Sequence, residues 1–330
     1  MFKIDHGDAV ISARGLARHF HTRGATVEAV RGVDIDVAAG EIVGFLGPNG
    51  AGKTTTQRML TTLLTPTAGE ARVAGHDLRR DPVAVRRSIG YVPQGGCTTP
   101  EARVGEELLD HAGLYGVPRD EARSRGRALI AEVELAGTWE RETKTLSGGQ
   151  RRRLDIALGL VNEPALLFLD EPTTGLDPQA RANLWQHIRR LREERGVTVF
   201  LTTHYLEEAD ALCDRVFVID HGEIVAHGTP DELKRRVSGD VVSLQLAEPG
   251  ALPAARAVFE AASDAVLVRV EAELIDFRVP DAGATLPELF GALERAGVAL
   301  AGIEVRRPTL DDVFLSLTGR ALRDDPVLTA

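Results

Sequence analysis

The sequence predicts an α/β fold in which a parallel-sheet core with a helical subdomain is followed by a small α+β domain. Three observations predict it. Over residues 1–237, strand-sized apolar runs alternate with helical segments, the order of a parallel sheet. Between residues 98 and 161 the strand signals give way to helical periodicity, which marks an insertion. Across residues 238–330 the pattern becomes β-α-β-β-α-β, the split βαβ order of a ferredoxin-like domain.

Each element follows from local pattern. Residues 42–46 (Ile-Val-Gly-Phe-Leu), 166–169, 197–201 and 216–219 are continuous apolar runs, as expected of central strands covered on both faces. Residues 104–115, 120–135 and 151–161 read as the helices of the insertion. In the second domain, residues 241–246, 265–270, 274–279 and 298–305 read as strands, and 251–262 as a helix. Residues 285–296 form a second predicted helix, opened by the capping box Thr285-x-x-Glu288 and closed by Gly297. Near the end of the chain Thr309 reads as a cap, with acids at Asp311 and Asp312. There Leu310, Val313, Phe314 and Leu317 form one apolar stripe.

Composition narrows the function. With 330 residues the chain holds about two average domains. A net charge of −10 argues against a nucleic-acid partner, because phosphate backbones are gripped by basic surfaces. No apolar run approaches the length of a membrane span, and residues 1–8 lack the apolar core of a secretion signal. Cys97 and Cys213 are the only cysteines and stand in no metal-ligand spacing, which fits a reducing compartment. The expectation is a cytoplasmic chain. Its only lysines are Lys3, Lys53, Lys144 and Lys234, and Lys53 carries the chemistry.

Gly47-Pro48-Asn49-Gly50-Ala51-Gly52-Lys53-Thr54 matches G-x-x-x-x-G-K-[ST], between an apolar strand and a helical segment that begins at Thr55. Glycines let the backbone wrap a polyphosphate with its N–H groups inward, and the helix adds its positive end. Lys53 supplies a point charge to the β/γ-phosphates and Thr54 a hydroxyl to Mg²⁺. A glycine-rich turn that binds nothing is the bland alternative, and the strand and helix on either side argue against it. Asp170 and Glu171 end the run 166–169, where open α/β sheets keep their ligands. Asp170 is placed to hold Mg²⁺ through water, and Glu171 to polarise the attacking water as a general base. Pro172 follows directly, so a plain strand-end turn is the competing reading for the pair taken alone. His204 ends another apolar run and could orient that water. Taken alone, a strand-end histidine is more often structural, and the other eight have no comparable context.

Leu146-Ser147-Gly148-Gly149-Gln150 precedes a helical run and, by physics alone, is a helix start with the capping box Ser147-x-x-Gln150. The motif also resembles the signature sequence of the ATP-binding subunits of ABC transporters, and the resemblance covers roughly residues 10–235. It implies the P-loop NTPase cassette fold and roles for further residues. Phe20 resembles the aromatic that stacks on adenine. Gln94 matches the glutamine that reaches the metal and links the two subdomains. Asp177 in Gly-Leu-Asp-Pro matches the aspartate that communicates across a dimer, and His204 matches the switch histidine. The family implies two copies sandwiching two ATP molecules, so that Ser147, Gly149 and Gln150 face the γ-phosphate held by Lys53 of the other copy. It also implies a separate integral-membrane permease, docked at residues 95–109, and hence a place on the inner face of the cell membrane.

Residues 45–56, 202–209 and 308–315 resemble the branch of daunorubicin/doxorubicin-type drug-resistance exporters. Two departures are a polar, long segment at residues 21–26 and an unexpected Gly-Gly-Cys-Thr-Thr-Pro at 95–100. A nutrient importer's ATPase with a regulatory C-terminal domain is the alternative. A chromosome-maintenance ATPase would need a long coiled coil or zinc insertion between Lys53 and Ser147, and a translation factor would carry two cassettes. A small-molecule kinase would lack residues 146–150.

Overall fold

The computed structural model describes residues 9–22, 25–237, 239–261, 266–271 and 273–318. Residues 1–8, part of the 21–26 segment, and the ends of the expected second-domain helix and strand at Ala262 and Ala265 lie outside them.

The chain opens with an antiparallel hairpin, β1 (Ala9–Thr22) and β2 (Ala25–Ala38). β3 (Ile42–Leu46) runs into the glycine-rich turn and α1 (Lys53–Leu60). β4 (Ala68–Val73), β5 (His76–Asp77) and α2 (Pro82–Ser88) lead to β6 (Ile89–Val92). The insertion carries α3 (Val104–Leu114), α4 (Arg119–Glu132) and α5 (Gly148–Leu160). Then come β7 (Leu166–Asp170), α6 (Pro178–Arg195), β8 (Thr198–Thr203), α7 (Leu206–Leu212), β9 (Arg215–Asp220) and β10 (Glu223–Gly228).

Among the described residues the central sheet has the order β10-β9-β3-β8-β7-β6. It is parallel from β9 to β6, with β10 antiparallel at its edge. The fully buried patterns of β3, β7 and β8 account for their unbroken apolar runs. Register sets the site. Leu46 pairs with Thr203 and Asp170 with Thr202, so three strand ends finish at one level of the sheet.

A second sheet, β2-β1-β4-β5, is antiparallel, and the expected parallel pattern over residues 1–237 does not include it. Its strands bury one face only. In β2, Val30, Val33, Ile35 and Val37 are buried between exposed or half-buried neighbours, a period-2 signal weaker than a continuous run.

The chain folds into two compact units, the first ending its main run at Thr229 and the second starting at Pro230. That is one helix earlier than the sequence suggests, because α8 (Pro230–Val237) packs against α11 (Leu310–Thr318) of the second unit. Between them run β11 (Asp240–Leu246), α9 (Leu252–Ala261), β12 (Val266–Glu271), β13 (Leu274–Val279), α10 (Ala282–Arg295) and β14 (Leu300–Arg306). The sheet order is β12-β13-β11-β14, antiparallel throughout. Val242, Leu244, Phe259, Phe277, Leu289 and Leu293 form its core, and the Phe259 and Phe277 rings sit 4.6 Å apart.

One helix start differs from expectation and another matches it. α10 begins a turn before Thr285, capped by Asp281, whose carboxylate accepts from the Gly283 and Ala284 N–H groups. An aspartate at N-cap competes well with threonine, and it stands first in the chain. At α11 the cap is Thr309, closed reciprocally by Asp312. Leu310, Val313 and Phe314 are buried there, but Leu317 stands 42% exposed, so the stripe is shorter than the sequence implies.

Candidate functional site

The turn between β3 and α1 is shaped by its glycines. Gly52 adopts φ +107°, and a Cβ there would lie 2.6 Å from the Ala29 carbonyl. One on Gly47 would lie 2.2 Å from the Ile219 carbonyl. Neither position tolerates a side chain without backbone movement. The first helical bond is Thr56 N–H to Gly52 O, so the Lys53, Thr54 and Thr55 amides stand at the helix N-terminus. Ala51 N–H bonds back to Pro48 O and closes the loop. Asn49, Gly50, Gly52, Lys53, Thr54, Thr55, Gln94 and Glu171 line one cleft.

Inside it, Lys53 is almost wholly buried. Its Nζ donates to the Gly47 and Pro48 carbonyls at 2.7 and 3.0 Å and lies 3.6 Å from Glu171 Oε1. Thr54 Oγ1 donates to Asp170 Oδ1 at 3.3 Å, and Thr202 Oγ1 donates to the same oxygen at 2.6 Å. Glu171 Oε2 accepts from Gln94 Nε2 at 2.9 Å and from Thr174 Oγ1 at 3.2 Å. His204 Nδ1 lies 3.2 Å from Glu171 Oε1. Burial by itself pushes the Glu171 carboxyl up, but the facing His204, Lys53 and Thr174 outweigh it and hold it below the ordinary glutamate value. Glu171 is therefore an ionised acceptor near neutrality.

Gln94 reaches Glu171 here, where the resemblance pointed to the metal. Thr54 and Asp170 bring a hydroxyl and a carboxylate oxygen together. Such hard oxygen donors beside a phosphate loop fit Mg²⁺, which keeps waters and takes one or two protein ligands besides phosphate.

A separate cleft is lined by Ser147, Gly148, Gly149, Gln150, Arg153 and Asp177, among others. Gln150 N–H donates to Ser147 Oγ at 3.2 Å, and Ser147 N–H donates to Gln150 Oε1 at 3.0 Å. The Ser147 hydroxyl accepts in that pair, so its own proton remains to be donated. Asp177 caps α6 by accepting from Ala180 N–H at 2.8 Å. Phe20 is not among the residues that line the phosphate cleft. It faces Val27 across the hairpin, with the Arg18 guanidinium 4.7 Å from its ring centre.

Sequence pattern does not single out Thr202, Thr174, Arg152 or Asp155. Arg152 is 7% exposed, hidden in the run Arg151-Arg152-Arg153. The available signal was Asp155, an acid three residues on, alone among the apolar residues of 154–160. Asp155 Oδ1 accepts from the Cys97 N–H at 2.9 Å and from Cys97 Sγ at 3.3 Å. Burial, with the Asp155 charge behind it, pushes the Cys97 thiol up, and burial does the same for Cys213. Both thiols are thus expected to react with iodoacetamide at least about tenfold more slowly in the folded chain than after unfolding, since the thiolate is the nucleophile. Rapid labelling of Cys97 in the native protein, read by peptide mass, would contradict its packing against Asp155.

Comparison with known proteins identifies the family. Residues 30–174 match the family described as ABC transporter, and residues 228–318 that described as ATP-binding protein DrrA1-3-like, C-terminal domain. The chain is 43% identical to a daunorubicin resistance ATP-binding protein of Streptomyces coeruleorubidus, covering 94% of this chain and 96% of that protein. It is 35% identical to a linearmycin resistance ATP-binding protein of Bacillus subtilis, over 89% and 95% of the two chains. Among solved structures it resembles a dimeric ATP-binding cassette in a post-hydrolysis state bound to ADP and Pi. That match has a TM-score of 0.61 at 25% identity, over 66% of this chain and 98% of that one. Among the described residues no helix is long and apolar enough to cross a membrane. The chain belongs to the ATP-binding, ATP-hydrolysing subunits of ABC transporters.

Proposed function

We propose that this chain powers a drug or antibiotic exporter, acting as a homodimer that encloses two ATP molecules and drives a separate membrane permease. One observation supports the dimer above all: the phosphate cleft and the signature cleft share no lining residue. That separation supports a reading in which a second copy brings its signature motif to the nucleotide on Lys53. Ser147, Gly149 and Gln150 would approach the γ-phosphate from that copy, offering a hydroxyl and helix-start amides. Asp177, in the same cleft, would sense the partner, and Phe20 would stack on adenine. Relatives named for daunorubicin and linearmycin resistance, and one named a Nod factor export ATP-binding protein, support export over import.

In this reading Glu171 takes a proton from water as its oxygen attacks the γ-phosphorus, and the bond to the β-bridging oxygen breaks to release ADP. Gln94 and Thr174 fix the carboxylate through one oxygen, while His204 faces the other and orients the water. Lys53 and the turn amides hold the phosphates. Mg²⁺, when bound at Thr54 and Asp170, neutralises charge on the phosphate oxygens. Closure on ATP and reopening after phosphate release would push the permease, docked at residues 95–109, from the cytoplasmic face of the membrane.

The test is purification of the tagged chain from membranes of cells that also express its candidate permease. The expected result is a complex in which compounds of the anthracycline kind stimulate ATP hydrolysis. A chain that hydrolyses ATP yet never co-purifies with a membrane protein would sink the transporter assignment.

A further inference from the structure

Arg152 is a buried guanidinium on the second turn of α5, and its three nitrogens reach three main-chain carbonyls. Nη2 donates to Asp170 O at 2.9 Å, Nε to Pro172 O at 2.8 Å, and Nη1 to Pro93 O at 2.7 Å. The first two carbonyls bracket Glu171. The third immediately precedes Gln94.

That bracketing matters because Glu171 has φ +43°, an uncommon backbone state for a side-chain-bearing residue. Such a state persists only where the surroundings over-determine it. On one side the Glu171 N–H donates to Thr202 O and Thr202 Oγ1, both at 3.1 Å. On the other, Arg152 grips the carbonyls before and after it. The peptide unit before Glu171 is thereby held from two directions, and Arg152 also holds the carbonyl of the following Pro172.

The Gln94 loop is held by the same helix. Arg152 takes Pro93, and Asp155, 3.8 Å from Arg152 Nη1, takes the Cys97 N–H and thiol. Gly96, at φ +79°, lets the loop come close, since a Cβ there would lie 2.9 Å from Asp155 Oδ2. A single turn of α5, from Arg152 to Asp155, therefore anchors both loops that carry the interacting pair, Gln94 and Glu171.

We propose that Arg152 is the positioning residue that sets Glu171 and Gln94 for water attack, and that it ties their placement to the helix beginning at Ser147–Gln150. This rests on Glu171 as the general base. It goes further by giving the signature helix a lever on its own chain's carboxylate. If ATP on the partner copy fixes Ser147 and Gln150, Arg152 carries that fixation to Glu171 of the same chain, and each nucleotide site reports on the other. The planar fork suits the task, because a lysine ammonium cannot span three carbonyls in fixed directions.

The test uses the full chain with Arg152→Lys, Glu171→Gln, and the two combined. Arg152→Lys is expected to lower kcat by about 30- to 100-fold, the scale of an ångström-sized misplacement. KM for ATP should stay within about threefold, as for a residue that acts on the chemical step alone. Any positive ATP cooperativity of the wild type should fall towards a Hill coefficient of one. Added to Glu171→Gln, Arg152→Lys should leave the ATP-dependent dimer in size-exclusion chromatography intact, which also shows the variant is folded. A near-wild-type kcat for Arg152→Lys beside an inactive Glu171→Gln overturns the proposal alone. So does loss of the ATP-dependent dimer in the double variant, because Arg152 would then serve folding or nucleotide binding. Wild-type turnover by Glu171→Gln itself overturns the base assignment, and this proposal with it.

Discussion

Glu171→Gln is expected to cut ATP turnover by about 10²- to 10⁴-fold, the usual contribution of a positioned general base, while nucleotide binding survives. The glutamine has the shape of the native side chain. Its carbonyl oxygen can still accept from Gln94 and Thr174, which now meet at Glu171 Oε2. What disappears is the negative charge 3.6 Å from Lys53 Nζ. A γ-phosphate arriving at Lys53 then meets less repulsion, so ATP affinity should hold or rise. The dimer should accumulate, because opening follows hydrolysis. Phosphate release and size-exclusion chromatography with Mg·ATP check both halves together. The pH dependence has a definite sign. In the folded state the Glu171 carboxyl lies below its ordinary value, so the charged base is fully present above that value. It is lost only as pH falls through the depressed one. In the nucleotide-free chain the carboxylate therefore keeps its charge through neutrality.

Legibility in the sequence followed the strength of the physical signal. β3, β7 and β8 stand out because strands buried on both faces must be apolar at every position. The structure brings Lys53, Thr54, Asp170, Glu171, Gln94 and His204 within reach of one another, and each sits at a strand end or a glycine turn. The hairpin β1–β2 was less legible: its alternation is interrupted by bulges, with register shifts around Leu16 and between Arg18 and His19. Arg152 and Thr202 were invisible for another reason. Arg152 works through carbonyls and Thr202 through a carboxylate and one amide. Neither contact leaves a spacing pattern in the chain. Only Asp155, a charge where burial demands an apolar residue, hinted that α5 carried a buried cation.

Lys53→Ala should have the largest effect on nucleotide binding, and a comparison with Lys144 explains why. Lys144 pairs with Glu142 at the surface, both side chains about half exposed, where solvent screens the pair and truncation should change neither ATP binding nor melting. Lys53 and Glu171 have side-chain exposures of 4% and 9%. Removing the cation takes away the point charge for the phosphates and strands a nearly enclosed carboxylate beside His204, Gln94 and Thr174. Breaking a buried pair from one side costs about 3–5 kcal/mol. ATP affinity is expected to fall by about 100-fold, the equivalent of about 2.7 kcal/mol, with a lower melting temperature in the absence of nucleotide. Titration with a fluorescent ATP analogue and thermal melts measure the two effects separately. They separate further in a double variant. Lys53→Ala combined with Glu171→Gln removes the stranded charge, so it should melt above Lys53→Ala alone while still binding ATP more weakly than the wild type. Equal melting of the single and double variants would show that the stability loss comes from the loop carbonyls of Gly47 and Pro48, which Lys53 also holds, and not from the carboxylate it faces.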